Sequence, residues 1–244
     1  MPAERNGVHF TFVTLFSDLT RFYFEDSILK RALEKELFSV EYVNPREFST
    51  DKHRKVDDYQ SGGGAGLVMT PQPLFDTLNA IRAKSPKARF LFMAPAGAPF
   101  TQNDAVRLAG EEHLVLVSGR YEGIDERVVE RFADEVFSVG DYILTGGELP
   151  SLVICDAVAR NIPGVLGNQG SLDEESFNTA LLEAPSFTKP AEYEKTGTPS
   201  EFLKGNHSRI AALNFRLARA KTQFHRPDLF FRHRSELDSK KGQR

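Results

Sequence analysis

Charged side chains alternate with glycines between Ser118 and Gly167. The stretch SGRYEGIDERV places Arg120, Glu122, Asp125, Glu126 and Arg127 directly after the apolar run HLVLVS, and GDYILTGGELP brings Gly140, Gly146 and Gly147 after EVFSV. In α/β proteins the turn from strand to helix is where ligands sit. Glycines there let backbone amides and carbonyls approach a flat ligand closely. Two such turns side by side suit a nucleoside; the alternative is that the glycines only permit sharp turns. A third cluster, HRKVDDYQSGGGAGLVM, sets two acids before Gly62, Gly63, Gly64 and Gly66. It is not a Walker loop, because Leu67, Val68 and Met69 stand where a lysine and a hydroxyl would have to reach phosphate and magnesium. By itself it also reads as a surface loop.

These turns need strands and helices to hold them. HFTFVTLF reads as a first strand, followed by a helical pattern through Ile28, Leu29, Ala32, Leu33 and Leu37 and a second strand at FSVEYV. Further strands are expected at 88–94, 113–118 and 135–139, with helices at 71–84, 103–110 and 124–131. Strand and helix in alternation predict a largely parallel sheet with covering helices. After Gly167 the strand patterns stop. The polar, acidic segment 167–178 reads as a linker, leading to a smaller part made of helices and loops.

The chain has 244 residues, enough for one large domain or one domain plus a small one, and with 40% of them apolar a packed core is expected. Its apolar runs fall far short of the roughly 20 residues that span a bilayer, and the N-terminus lacks a signal-peptide pattern, so a cytoplasmic protein without a membrane partner is expected. The single cysteine, Cys155, lies in SLVICDAVA and reads as a small buried hydrophobe. The net charge of -3 hides an asymmetry. From Lys204 to Arg234 there are eight basic residues and one acid, Asp228, with His207, His225 and His233 between them; the rest of the chain carries 23 basic against 33 acidic residues. The basic end includes a predicted helix, 206–222, with an apolar stripe of Ile210, Leu213 and Leu217. Such a helix suits a polyanion, or else presents a solvated face.

Taken in order, HRKVDD…GGGAG, FMAPAG, SGRYEGIDERV, VGDYILTGGELP, ARNIPGVLG, EESF and KGNH closely resemble the bacterial tRNA (guanine-N1)-methyltransferases, the TrmD family of SPOUT methyltransferases. The resemblance covers nearly the whole chain. It implies an α/β fold with a parallel sheet, a C-terminal trefoil knot and then a small helical domain. The parts would be a methyltransferase domain at 1–166, a linker at 167–178 and a basic tRNA-binding domain at 179–244. It implies a homodimer in which two subunits complete each site, S-adenosylmethionine as methyl donor, and as substrate the guanosine 3′ to the anticodon, with a preference for a preceding guanosine. A magnesium requirement stays open, and no metal site is expected in the protein.

Methylating N1 of guanine requires a base for the N1 proton, a cation for the charge growing on O6, and a clamp for in-line transfer. By resemblance the base is Glu175, where the family carries aspartate; its reference pKa is near that of aspartate, but it is one methylene longer. Asp173 is the fallback. Read without the resemblance, these acids solvate a linker. Arg160 matches the arginine that faces O6, and otherwise ends a helix. The donor would contact Phe92, Met93, Ala94, Pro95 and Gly97; Gly119, Tyr121, Glu122 and Gly123; and Ser138, Val139, Gly140, Tyr142, Leu144, Gly146 and Gly147. Ala94 and Ala96 depart from the family's serine and glutamine, which mainly backbone contacts tolerate. Asp57 and Gly66 would read the preceding guanosine; Tyr59, Gln60 and Ser61 depart from the family pattern beside them. Asn206, His207, Arg209, Arg216 and Arg219 would grip the anticodon stem-loop. Two other readings remain: a SPOUT methyltransferase acting on another RNA, and a non-catalytic RNA-binding protein that keeps a nucleoside pocket.

Overall fold

The computed structural model describes residues 7–167, 175–177 and 181–233. The chain divides into two compact units, Met1–Gly167 and Asn168–Arg244. The first is built on five strands: β1 (Val8–Val13), β2 (Phe38–Val43), β5 (Arg89–Pro99), β6 (His113–Ser118) and β7 (Glu135–Ser138). They lie in the order β2-β1-β6-β5-β7, and every pairing is parallel. A parallel sheet needs cover on both faces, and β6 (HLVLVS) and the first half of β5 (RFLFMA) are accordingly near-continuous apolar runs, whereas β1 (VHFTFV) and β2 (FSVEYV) alternate with polar residues. In β6, Leu114 and Leu116 join one core cluster while Val115 and Val117 join the other.

The first cluster packs against α2 (Ser27–Glu34), α4 (Gln102–Leu108) and α6 (Glu148–Ala159) through Leu29, Ala105, Ile154 and Val158. The second packs against α3 (Pro71–Lys84) and α5 (Glu126–Phe132) through Leu74, Leu78, Val128 and Phe132. A short helix, α1 (Asp18–Arg21), follows β1 and contacts α6. Helix α3 begins on Pro71, where a missing amide hydrogen costs no helical bond. Helix α4 opens with a capping box between Thr101 and Asp104. Cys155 is fully buried in α6, and burial, with Asp156 adding to it, pushes its thiol well above the ordinary range, so it is the packing residue expected.

Two features depart from the sequence reading. Residues on either side of the 62–66 glycines form an antiparallel hairpin, β3 (Asp57–Tyr59) with β4 (Leu67–Met69), each strand too short for periodicity to show. Strand β5 also runs past Ala94 to Pro99, because Met93 and Ala98 both pair with Phe137 and the residues between them bulge out of the sheet.

The second unit was expected to hold only helices and loops. It also holds a two-stranded hairpin, β8 (Glu192–Tyr193) with β9 (Thr196–Gly197), whose turn residues Glu194 and Lys195 both have positive φ. Two-residue strands leave no alternation to read. Its main helix, α7 (His207–His225), starts where predicted and runs three residues further. Most of the expected linker, and Asp173 within it, lies outside the described residues. Among the described residues no helix is long and apolar enough to cross a membrane.

Candidate functional site

Three irregular segments lie on adjacent strands β5, β6 and β7: the bulge at 94–97 within the second half of β5, the segment 119–125 after β6 and the segment 139–147 after β7. Backbone contacts fasten them together. The Gly147 amide donates to the Gly119 carbonyl at 2.8 Å, joining the second and third turns. Beneath them the Ser118 and Ser151 hydroxyls meet at 2.9 Å. Ser138 holds its own turn: its hydroxyl donates to the Gly140 carbonyl at 3.1 Å and accepts from the Gly140 amide at 3.2 Å. Tyr142 folds back so that its hydroxyl donates to the Val139 carbonyl at 3.2 Å.

The expected donor residues thus sort by role. Phe92 and Met93 are buried in opposite cores, and Ser138 is buried as well, so their side chains serve packing and turn geometry. Pro95, Tyr121, Glu122, Tyr142 and Leu144 are exposed around the turns, and Ala94, Gly97, Gly119, Gly123, Val139, Gly140 and Gly146 are half-buried, whereas Gly147 is buried. A rim of exposed aromatic and aliphatic side chains around glycine-bearing turns suits a planar heterocycle with a polar edge. Gly97 is required by close approach: a Cβ there would lie 2.6–2.7 Å from backbone atoms of Val136 and Phe137. Gly97→Ala must part β5 from β7. We expect it to cost about 1–3 kcal/mol, lowering Tm by several degrees in thermal melts and weakening donor binding by titration calorimetry.

The hairpin β3–β4 docks on the second turn. The Glu122 amide donates to the Leu67 carbonyl at 2.9 Å, the Met69 amide to the Gly123 carbonyl at 2.9 Å, and the Asp125 amide to the Met69 carbonyl at 3.1 Å. Asp57 and Gly66 are therefore brought to residues 120–125, from which they stand over fifty positions away in sequence. The Glu122 side chain lies against Gly66, where a Cβ would approach it to 2.5 Å. The Tyr121 hydroxyl interacts with Asp57 and with Arg46; burial and then the Asp57 carboxylate raise its pKa, while Arg46 opposes them. Tyr121 has a left-handed backbone, with φ of +60°. Arg46, in the turn Pro45–Phe48, also donates to the Arg54 carbonyl at 3.2 Å. Nothing in its local pattern, NPREF, marked it for this site. Tyr59, Gln60 and Ser61 stand exposed at the hairpin tip.

Arg160 caps the C-terminus of α6, half-buried, with its amide donating to the Asp156 carbonyl at 3.1 Å. Glu175 is half-buried and belongs to the second unit. In that unit Asn206 caps α7, its side-chain oxygen accepting from the Arg209 amide at 3.2 Å. Ile210, Leu213 and Leu217 are half-buried, while His207, Arg209, Arg216 and Arg219 are exposed, so the helix is amphipathic as its spacing predicts. Among the described residues no group of three or more His, Cys, Asp or Glu converges as metal ligands would.

Comparison with known proteins shows the family. A family model described as tRNA (guanine-1)-methyltransferase TrmD matches residues 8–232. A tRNA (guanine-N(1)-)-methyltransferase of Sulfurimonas denitrificans is 59% identical over 228 residues, covering 93% of this chain and 99% of its own. One from a Sulfurovum species is 61% identical over 223 residues, covering 91% and 98%. One from Campylobacter jejuni is 59% identical over 228 residues, covering 92% and 97%. On a match of this extent, spanning the hairpin, the three turns and α7 alike, the chain belongs to the tRNA (guanine-1)-methyltransferase TrmD family.

Proposed function

We propose that the protein is a tRNA (guanine(37)-N1)-methyltransferase that moves the methyl group of S-adenosylmethionine to N1 of the guanosine 3′ to the anticodon. The observation that carries this reading is the union of three glycine-bearing turns with the hairpin that holds Asp57 and Gly66, on a chain of this family. The donor supplies an electrophilic methyl on a sulfonium. The chain's own residues do the rest. The turns hold the donor's purine between backbone amides and carbonyls, as the exposed rim and the open space beside Gly123 allow. Glu175 takes the N1 proton, and Arg160 faces the O6 charge with a planar, permanently charged fork. Asp57 accepts from N1 and N2 of the preceding guanine.

The active form in this reading is a homodimer. Leu19, Phe22, Leu149 and Val153 on and beside α1 and α6 support it, since all are 45% or more exposed and α1 contacts α6. The knot, in which α6 returns beneath the turn at 119–125, is likewise part of the proposal, supported by the family match and by the Gly147 to Gly119 bond. The second unit is the tRNA-binding part, through the exposed arginines of α7, and the enzyme works in the cytoplasm with its tRNA.

Mass spectrometry of nucleosides after incubation with total tRNA and S-adenosylmethionine tests the activity: 1-methylguanosine at position 37 is expected. Donor binding without methylation would instead favour an RNA-binding protein, and methylation confined to ribosomal RNA another substrate. Repeating the assay with a chelator reads any magnesium requirement. For α7, Arg216→Ala and Arg219→Ala should each weaken tRNA binding uniformly and reduce the slope of log affinity against log salt by about one, as filter binding across a salt series would show.

A further inference from the structure

Glu148 is the first residue of α6 and is 3% exposed, an unusual place for a carboxylate. A buried ion costs several kcal/mol unless it is paired and hydrogen-bonded. Both its oxygens are engaged. Oε1 accepts from the Thr14 hydroxyl at 2.8 Å, and Oε2 stands 2.9 Å from Nε of Arg120. The second contact is ionic, since neither buried atom makes a well-aligned hydrogen bond. Thr14 is itself buried at the end of β1, and its hydroxyl accepts from the Phe16 amide at 3.0 Å. The Arg120 guanidinium lies over the Phe16 ring at 4.6 Å and donates through Nη1 to the Thr145 carbonyl at 3.2 Å.

The turn before α6 rests directly on this pair. A Cβ on Gly146 would come within 2.6 Å of both Arg120 Nε and Glu148 Oε2. Arg120, Gly146 and Glu148 themselves line a cavity of about 220 Å³, together with Leu19, Leu144 and Thr145. Packed apolar side chains often stabilise a fold as well as a buried ion pair does. They cannot hold a carbonyl in a chosen direction.

We infer that Glu148, with Thr14 and Arg120, is a positioning residue that sets the Thr145 carbonyl and Gly146 for the methyl donor. This rests on the assignment of the turns 119–123 and 138–147 to the donor. With Glu148 3% and Thr14 1% exposed, both act through Arg120 and the backbone. Donor affinity should therefore depend on them, and tRNA affinity should not.

Glu148→Gln keeps an acceptor for Thr14 and removes the charge facing Arg120, whereas Thr14→Val removes only the hydroxyl and keeps the volume. With folding checked by circular dichroism, donor binding is measured by calorimetry without tRNA, and KM for both substrates by steady-state assay. Glu148→Gln should raise the donor dissociation constant and KM about ten-fold and Thr14→Val about three-fold, with tRNA KM unchanged and kcat within about three-fold. Unchanged donor affinity in the folded variants, or a parallel rise in both KM values, would overturn the positioning role. If Glu148→Gln does not fold, Thr14→Val decides alone. A wild-type protein that binds no donor overturns the donor assignment itself, and this inference with it.

Discussion

Glu175→Gln is expected to lower the single-turnover rate of methyl transfer by about a thousand-fold or more, within the range by which a positioned general base contributes. The amide is nearly isosteric with the carboxyl, so tRNA and donor dissociation constants should stay within about two-fold while chemistry stops. The carboxylate is needed because N1 of guanine carries a proton that must leave before or as the methyl arrives. Glu175→Asp supplies a second reading. It keeps a carboxylate and shortens the reach by one methylene, so activity within about ten-fold of wild type marks the carboxylate as the working group. Near-normal rates in Glu175→Gln would sink the assignment and move the base to Asp173.

Arg160→Ala should lower the same rate by about 10²–10³-fold, the loss typical of removing one donor from a developing oxyanion. Arg160 ends α6, where a cation also complements the helix dipole. That contribution is about 0.3–1 kcal/mol, so a purely structural role predicts a small fall in Tm and an unchanged rate. Arg160→Lys separates the two effects. It keeps the charge at the helix end but loses the planar fork, and should recover stability without full activity. Because stabilising O6 also makes N1 more acidic, the proposed roles couple Arg160 to Glu175, and the double variant should be little slower than either single one.

The parallel sheet was legible because its strands alternate with helical patterns, and its most buried strand, β6, is a near-continuous apolar run. The strand His113–Ser118 was readable to the residue, and so was the helix Pro71–Lys84. Helix α7 was readable from its stripe, and its start from Asn206, a good cap. The hairpins β3–β4 and β8–β9 were not, since strands of two or three residues carry no period. The bulge in β5 was hidden too, because it comes from two residues of one strand competing for Phe137 on another.

The candidate site divides along the same line. Glycine turns and their charged neighbours were visible locally, and the order of the motifs was enough to place the chain in its family. The sequence alone therefore determined the strands of the main sheet, its covering helices and α7, the glycine-bearing turns and the kind of chemistry to expect. The tertiary structure decided which of those residues serve the fold: Phe92, Met93 and Ser138 turn inward. It also decided that Asp57 meets Tyr121, and that Thr14 and Glu148, 134 positions apart, share a hydrogen bond beneath the glycine turn. Such contacts join residues whose neighbours in the chain carry no trace of the partner, and a carboxylate at a helix start reads the same whether solvent or an arginine waits beside it.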